Sequence, residues 1–325
     1  MSIETIRDHA DIVIDNTANT TRREWLDLRT EGIGGSDAAA AVGLSPYESP
    51  YSLWASKTGL VGEKEETDPM RWGNRLEEAI GMGFATDTGI EVVRYPVMLR
   101  SKQYPWAQVN LDFLTADGEG VVECKNVGLY QLDSWEDGKV PGHYGLQGQH
   151  ELAVTGLDVL WFAALIGGQN PRYIKVERNQ TLIEDLMEQE RQFWELVKAN
   201  TPPAIDGSEA TTKALKEQYA EPAEGSMVEV DPVVMTELLR TRADLKADEK
   251  YTKARLDVVE NSIRSILGDA EVGTVEGVPA VTWKVSHVTR VSSDKLREKY
   301  PDIAEECSTI TAQRTIRVPK NSPLT

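Results

Sequence analysis

The order of helical and strand patterns predicts an α/β or α+β fold in which helices flank a mixed central sheet. Helical patterns dominate up to residue 89, strand patterns follow at 90–127, and 144–200 reads as a helix, two strands and a second helix. The faces of a sheet need cover from another layer, so this order predicts helices packed on a central β-meander. A length of 325 residues allows one large domain with an appendage.

Three regions of the chain differ in pattern. Residues 1–20 show no clear period and are interpreted as an N-terminal leader, whereas 21–205 carry the patterns of the main domain. Residues 206–325 are interpreted as a C-terminal accessory region with a linker, a helix at 231–267, a β-hairpin and a strand at 314–318. The long helix has an interrupted apolar seam, so a helical hairpin, an oligomer contact and a coiled coil all remain open.

Local signals set the elements of the main domain. Pro follows an N-cap serine at 49–50, and glycines at 59, 89 and 156 are placed to end helices. Runs rich in β-branched and aromatic residues mark the strands. The expected helices are 21–30, 50–59, 70–89, 144–156 and 179–200, and the expected strands are 90–100, 106–114, 119–127, 158–167 and 173–177.

The formal net charge is −18, from 53 acidic and 35 basic side chains, and most of the acidic excess precedes residue 205. This composition excludes a broad basic DNA-binding face. A narrow groove lined by a few cationic side chains would still allow local DNA contact, and an adaptor that never meets nucleic acid fits equally well. Apolar runs long enough to span a membrane or to form a signal region are absent, so we expect a soluble, cytoplasmic protein without a membrane partner.

The most informative segment is 109–127, where two strand patterns meet at the Asp-Gly pair 117–118. Asp-Gly between apolar runs predicts a hairpin with a type I′ turn. Counting outward from that turn places Asp112 opposite Glu123, with Lys125 on the same face. Opposed Cβ atoms lie roughly 4.5–5.5 Å apart. The hairpin therefore brings two carboxylates and an ammonium together.

Two opposed carboxylates repel each other unless a cation lies between them. Mg²⁺ takes oxygen ligands, usually one or two carboxylates together with substrate phosphate, and Mn²⁺ is an expected substitute. The trio therefore suits metal-assisted phosphodiester hydrolysis, with Lys125 orienting the attacking water or neutralising developing charge. A surface hairpin with a like-charge pair and a solvated lysine explains the short pattern equally well.

Glu77 borders the apolar stripe of the helix at 70–89. A carboxylate at the edge of a core is costly unless it is paired or bound to a metal. Glu77 is therefore a candidate metal ligand. An ion pair with Arg71 or Arg75 is the alternative.

A glycine-rich turn at 32–35 follows Arg29 and precedes an alanine run. Ser36 is expected to be the N-cap of a short helix formed by that run. A glycine turn that opens a helix offers backbone N–H groups to a phosphate, and Arg29 can pair with the same group. An ordinary capped helix with tight packing is the alternative interpretation.

One ordered set of motifs extends from about Arg22 to Asn200. It comprises Trp25-Leu-Asp-Leu-Arg29, Ile33-Gly-Gly-Ser36-Asp-Ala, Trp72-Gly-Asn-Arg-Leu-Glu77, Leu111-Asp112, Glu123-Cys-Lys125 and Tyr144-Gly-Leu-Gln147-Gly-Gln. The set resembles the YqaJ-type viral recombinase family, relatives of phage lambda exonuclease. Several motifs in one order are far more specific than any of them alone.

The resemblance implies a restriction-endonuclease-like core and two-metal hydrolysis of DNA. It also implies a ring-like homotrimer and a single-strand-annealing recombinase as partner. The residues it assigns are the metal carboxylates Glu77, Asp112 and Glu123, the catalytic Lys125, the active-site helix residue Gln147, and Arg29 and Ser36 for the 5′-phosphate of a DNA end.

The resemblance, together with the carboxylate and lysine pattern, implies a Mg²⁺-dependent 5′→3′ double-strand DNA exonuclease of phage or prophage recombination, acting on DNA ends in the cytoplasm of a bacterial host. An endonuclease or structure-specific nuclease with the same core is the alternative enzyme. A catalytically idle recombination scaffold is the alternative outside the enzymes. Folding alone does not require a lysine and several carboxylates around one point, which argues against the scaffold.

Overall fold

The computed structural model of the chain describes residues 2–62, 66–221, 225–309, 314–319 and 322. The chain divides into two compact units, Met1–Tyr219 and Ala220–Thr325. Within the described ranges, no helix combines the length and the apolar character that crossing a membrane requires.

Helices and two sheets make up the first unit. The N-cap of the helix Pro50–Lys57 is Ser49, with proline at the first helical position, and the helix Asp68–Thr88 ends at Gly89 in the left-handed conformation, both as expected. The helices are α1 (Ser2–His9), α2 (Arg22–Thr30), α3 (Ala38–Ala41), α4 (Pro50–Lys57), α5 (Asp68–Thr88), α6 (Gly142–Thr155), α7 (Gln180–Lys198) and α8 (Glu209–Gln218). The strands are β1 (Ala10–Ile14), β2 (Ile33–Gly34), β3 (Val92–Arg94), β4 (Met98–Ser101), β5 (Ala107–Asn110), β6 (Phe113–Thr115), β7 (Gly120–Val127), β8 (Val159–Ile166) and β9 (Asn170–Glu177).

The five-stranded sheet is mixed and has the order β3-β6-β7-β8-β9. β7 and β8 are parallel, the other pairs are antiparallel, and α6 makes the crossover that a parallel pair requires. The smaller sheet has the order β1-β4-β5-β2. This mixed sheet with helices packed on it confirms the predicted α+β fold class, and α5, the β6–β7 hairpin, α6 and β8 pack together at its centre.

Two of the predicted strands are each divided between the sheets. The segment 90–100 forms β3 and β4, and the segment 106–114 forms β5 and β6, so the chain passes from one sheet to the other within each segment. Asp112 lies at the second crossing, where its backbone carbonyl accepts the N–H of Tyr95 at 3.3 Å. Apolar and polar residues keep alternating across the break, so the pattern of side chains does not reveal it.

The prediction that residues 1–20 are a loose leader is wrong. α1 packs through Ile6, which is 1% exposed, and β1 pairs antiparallel with β4, with Ala10 opposite Ser101. Both elements are short, so neither repeats its pattern often enough to show a period.

The first unit extends past the predicted boundary at residue 205. α8 packs against α4, where Thr211 Oγ1 donates to Ser49 Oγ at 2.7 Å and Tyr51 donates its hydroxyl to Gln218 Oε1 at 2.7 Å. The segment after 205 is rich in linker residues, and its helix is fixed by these long-range contacts rather than by its own pattern.

The second unit contains the long helix and the hairpin that the sequence predicts. Its elements are α9 (Pro232–Leu267), β10 (Val272–Val275), β11 (Val278–Thr282), α10 (Ser293–Lys299) and α11 (Pro301–Glu306). The hairpin turns at Glu276-Gly277, which have φ angles of 53° and 82°. The predicted strand at 314–318 is wrong, because none of the sheets includes those residues in the described structure.

Candidate active site

The β6–β7 hairpin has the predicted register. Phe113 pairs with Val122, so the next pair outward is Asp112 and Glu123. Asp112 Oδ2 also accepts the backbone N–H of Cys124 at 2.8 Å, which holds this carboxylate against β7. The opposition of the two carboxylates is therefore confirmed.

The turn of this hairpin is not the predicted type I′. That type needs positive φ at both central residues, but of Asp117 and Gly118 only the glycine is in the left-handed region, with φ of 69°. The Asp117 carboxylate accepts from Thr115 Oγ1 at 2.6 Å and from the N–H of Glu119 at 3.0 Å. These side-chain bonds satisfy the turn with an ordinary backbone at Asp117.

Lys125 lies at the centre of the site. Its ammonium donates to Glu123 Oε1 at 2.7 Å and to Gln147 Oε1 at 2.9 Å, and it lies 4.9 Å from the centre of the Tyr144 ring. Burial alone would lower the pKa of Lys125, but the neighbouring carboxylates, led by Glu123, raise that pKa above its ordinary value. Lys125 therefore carries a fixed positive charge.

Gln147 connects α6 to the hairpin. Its Nε2 donates to Glu123 Oε1 at 2.6 Å and to Glu151 Oε1 at 2.9 Å, while its Oε1 accepts from Lys125. The amide thus faces a cation with its oxygen and two carboxylates with its nitrogen. This arrangement fixes its orientation and places the predicted helix residue in contact with the predicted catalytic pair.

Glu77 approaches the same centre from α5. Its Oε1 accepts from Arg94 Nη2 on β3 at 2.7 Å, so the alternative pairing with Arg71 or Arg75 is wrong. Arg71 instead binds Asp68 at 2.8 Å. Arg94 reaches Glu77 because β3 packs beside α5, a long-range contact that helix spacing does not predict.

The three predicted metal carboxylates influence one another. Burial, and then the charges of Glu123 and Glu77, raise the pKa of Asp112 well above its ordinary value. The pKa of Glu77 is also raised, by burial first and in part by Glu123, although Arg94 opposes the shift. Negative charge is thus concentrated at this point beyond what Lys125 and Arg94 compensate.

The chemistry of these three side chains suits a hard divalent cation. All three offer carboxylate oxygens, the donors that Mg²⁺ and Mn²⁺ prefer, and excess negative charge favours a cation. Among the described residues, however, no three His, Cys, Asp or Glu side chains already converge as a ligand cluster. The donor set therefore fits an ion held by one or two carboxylates, with water and phosphate completing the coordination.

Arg29 and the glycine turn form a neighbouring cluster. Arg29 Nη2 donates to Ser36 Oγ at 2.9 Å and to Asp37 Oδ1 at 3.0 Å. The buried Asp37 carboxylate also accepts from Lys57 Nζ at 2.7 Å and from the N–H of Gly34 at 3.1 Å. Burial alone would raise the pKa of Asp37, but Lys57 and Arg29 hold that pKa well below its ordinary range. Arg29 is thereby fixed beside Ser36.

The predicted N-cap role of Ser36 is wrong. A short 3-10 turn at Gly35–Asp37 precedes α3, and no side chain caps that helix. The Ser36 hydroxyl oxygen accepts from Arg29 instead, so its hydrogen points away from the guanidinium. Ser36 and Arg29 are still brought together, as the resemblance implies.

Comparison with known proteins decides the family. A model of the YqaJ-like viral recombinase domain matches residues 24–158. The uncharacterized protein YqaJ of Bacillus subtilis strain 168 is 32% identical over 298 residues, which cover 90% of this chain and 93% of that protein. The chain belongs to the YqaJ family.

Two solved structures are also similar to this YqaJ family member. The alkaline exonuclease LHK-Exo of Laribacter hongkongensis is 20% identical, with a TM-score of 0.48 over 55% of this chain and 93% of that one. A phage-related exonuclease of Haemophilus somnus 129PT is 12% identical, with a TM-score of 0.41 over 54% of this chain and 99% of that one.

Glu151 of this YqaJ family member is a further residue of the site, and none of the sequence motifs singles it out. Glu151 is 1% exposed, and its Oε2 has no hydrogen-bond partner in the described structure. Burial, and then the charge of Glu123, raise its pKa well above the ordinary value. The signal was available, because Gln147 and Glu151 are four residues apart on one helix and must share a face.

Glu151 also joins the two clusters. A Cβ atom added at Gly35 would come within 3.1 Å of Glu151 Oε1 and 3.4 Å of Gln147 Cγ. The glycine turn that carries Ser36 therefore lies directly against the face of α6 that contacts Lys125. A side chain at this position would crowd Glu151, so glycine favours the close approach.

Proposed function

We propose that this YqaJ family member is a metal-dependent 5′→3′ exonuclease that degrades double-stranded DNA in phage or prophage recombination. The observation that carries the proposal is the buried contact of Lys125 with Glu123 and Gln147 beside Asp112. Buried charges are expensive, and their concentration at one point is typical of catalytic sites. The YqaJ-like viral recombinase domain, which spans these residues, supports a role in recombination.

Glu77, Asp112 and Glu123 would hold Mg²⁺ or Mn²⁺, in a two-metal arrangement. Such an ion supplies a polarised phosphate and a more acidic water. Lys125 contributes a fixed positive charge where negative charge develops on the phosphate. Gln147 keeps the ammonium in place, and the hairpin keeps the two carboxylates opposed.

Degradation from an end distinguishes this function from the endonuclease alternative. With Mg²⁺, the purified protein should degrade end-labelled linear duplex DNA and leave covalently closed circles intact. Chelation by EDTA should stop the reaction. Cleavage of closed circles would favour the endonuclease, and intact linear DNA under all metal conditions would favour the idle scaffold.

Arg29 and Ser36 are proposed to hold the 5′-phosphate of the DNA end. Linear duplex with a 5′-phosphate should be degraded faster than the 5′-hydroxyl form, and Arg29→Ala should erase most of that preference. The lost charge-assisted bond is worth about 1.5–3 kcal/mol, or roughly ten- to a hundredfold in rate. Initial rates on both substrates measure the effect. Arg191→Ala, which breaks an exposed ion pair with Glu188, is the control. Equal wild-type rates on the two ends would contradict this assignment.

The oligomer and the annealing partner implied by the resemblance are proposed to use the second unit. The apolar seam of α9 is open in the described structure, since Leu238 is 58% exposed, Leu245 63% and Val259 56%. An uncovered stripe of this kind suits another helix. A ring-like homotrimer and a single-strand-annealing recombinase are both consistent with this surface.

A further inference from the structure

Two exposed tyrosines lie close to the candidate active site. Tyr47, between α3 and α4, is 61% exposed, and Tyr130, after β7, is 85% exposed. Gln131 Nε2 donates to both tyrosine hydroxyls, at 3.2 and 3.0 Å. One amide thus holds side by side two aromatic side chains from distant parts of the chain, with most of their surface open.

Aromatic contacts join Tyr47 to Lys125. The rings of Tyr47 and His143 meet edge-on with centroids 5.5 Å apart, and those of His143 and Tyr144 are 4.1 Å apart. The ring of Tyr144 in turn lies 4.9 Å from the Lys125 ammonium. We refer to Tyr47, Tyr130, His143 and Tyr144 as the aromatic rim.

The aromatic rim adds no positive charge to the site. Burial, and then the charge of Lys125, lower the pKa of His143 and so favour its neutral imidazole. The chain as a whole has a net charge of −18, which limits the affinity that phosphate contacts can supply. Aromatic faces supply affinity of another kind, because a nucleobase stacks on them whatever its identity.

We propose that the aromatic rim is a stacking platform for unpaired nucleobases of the DNA strand that is presented to Lys125 and Glu123. Bases within a duplex stack on their neighbours and do not expose their faces, so the platform selects a strand that has left the duplex. The proposal rests on the proposed nuclease function. It adds that the DNA strand is held unpaired, with its bases stacked on the aromatic rim.

Binding in EDTA tests the platform separately from hydrolysis. The wild type should bind a fluorescent single-stranded oligonucleotide roughly five- to a hundredfold more tightly than an abasic oligonucleotide of the same length and charge. Tyr47→Ala and Tyr130→Ala should each remove much of that difference, whereas Tyr130→Phe should keep it. Tyr251→Ala is the matched control, since Tyr251 is 65% exposed on α9 in the other unit.

Failure of the platform and failure of the nuclease function give different results. Equal wild-type affinity for the two oligonucleotides overturns the platform, even when the protein degrades duplex DNA. Discrimination that survives both alanine substitutions overturns it as well. Discrimination that depends on the tyrosines, in a protein that never cuts DNA, supports the platform and contradicts the nuclease.

Discussion

Replacing Lys125 with methionine should lower the rate of DNA hydrolysis by at least about a hundredfold. The ammonium of Lys125 donates to Glu123 and Gln147, and a methionine of similar length removes its charge without opening a large cavity. Initial rates on end-labelled linear duplex measure the loss. A rate within a few fold of the wild type would show that Lys125 is not catalytic.

A loss of folding stability in Lys125→Met has to be distinguished from a loss of catalysis. Lys125→Met leaves the Glu123 carboxylate buried without its cation, which should cost about 3–5 kcal/mol of unfolding free energy. The double variant Glu123→Gln/Lys125→Met removes both charges and should recover most of that loss. It should nevertheless stay inactive. Recovery of activity together with stability would mean that the single variant was merely misfolded.

Asp37→Asn should lower the free energy of unfolding by about 3–5 kcal/mol at neutral pH. Asp37 is 6% exposed and binds both Lys57 and Arg29, so the substitution leaves two cations without their counterion. Urea unfolding measures the change. Glu188→Gln, which breaks the surface pair with Arg191, is the control and should have little effect.

The effect of Asp37→Asn should depend on pH. The folded protein depresses the pKa of Asp37, so its contribution is present above the unfolded-state pKa of about 3.9 and is lost as the pH falls. The difference in unfolding free energy between wild type and variant should therefore shrink as the pH falls below about 3.9 towards the lower pKa of the folded protein. A difference that is the same in neutral and strongly acidic solution would contradict the ion-pair explanation.

The centre of the site was predictable because its geometry is local. Asp112 and Glu123 belong to one hairpin, and the two-residue period of a strand places Lys125 beside them whatever the type of turn. The turn itself was predicted wrongly, because the Asp117 side chain supplies hydrogen bonds that the Asp-Gly pattern does not reveal. The strand register is nevertheless the predicted one, because Phe113 still pairs with Val122.

The surroundings of the site were less predictable because they depend on packing between distant segments. Arg94 reaches Glu77 across two elements, and α8 joins the first unit through contacts with α4. The spacing of residues along the sequence does not predict such contacts between distant segments. The position of Glu151, by contrast, is predictable, since helical spacing alone places it beside Gln147. No motif in the sequence assigns a function to this residue.

The position of Asp112 between two sheets bears on how the chain tolerates insertions. A residue added inside β6 or β7 would reverse the phase of that strand and turn one carboxylate to the opposite face. Leu111 lies between β5 and β6 and takes part in the strand pairing of neither sheet. A residue added there can bulge without altering the pairing of Phe113 with Val122. The smaller sheet can therefore vary in length while the carboxylate pair keeps its alignment.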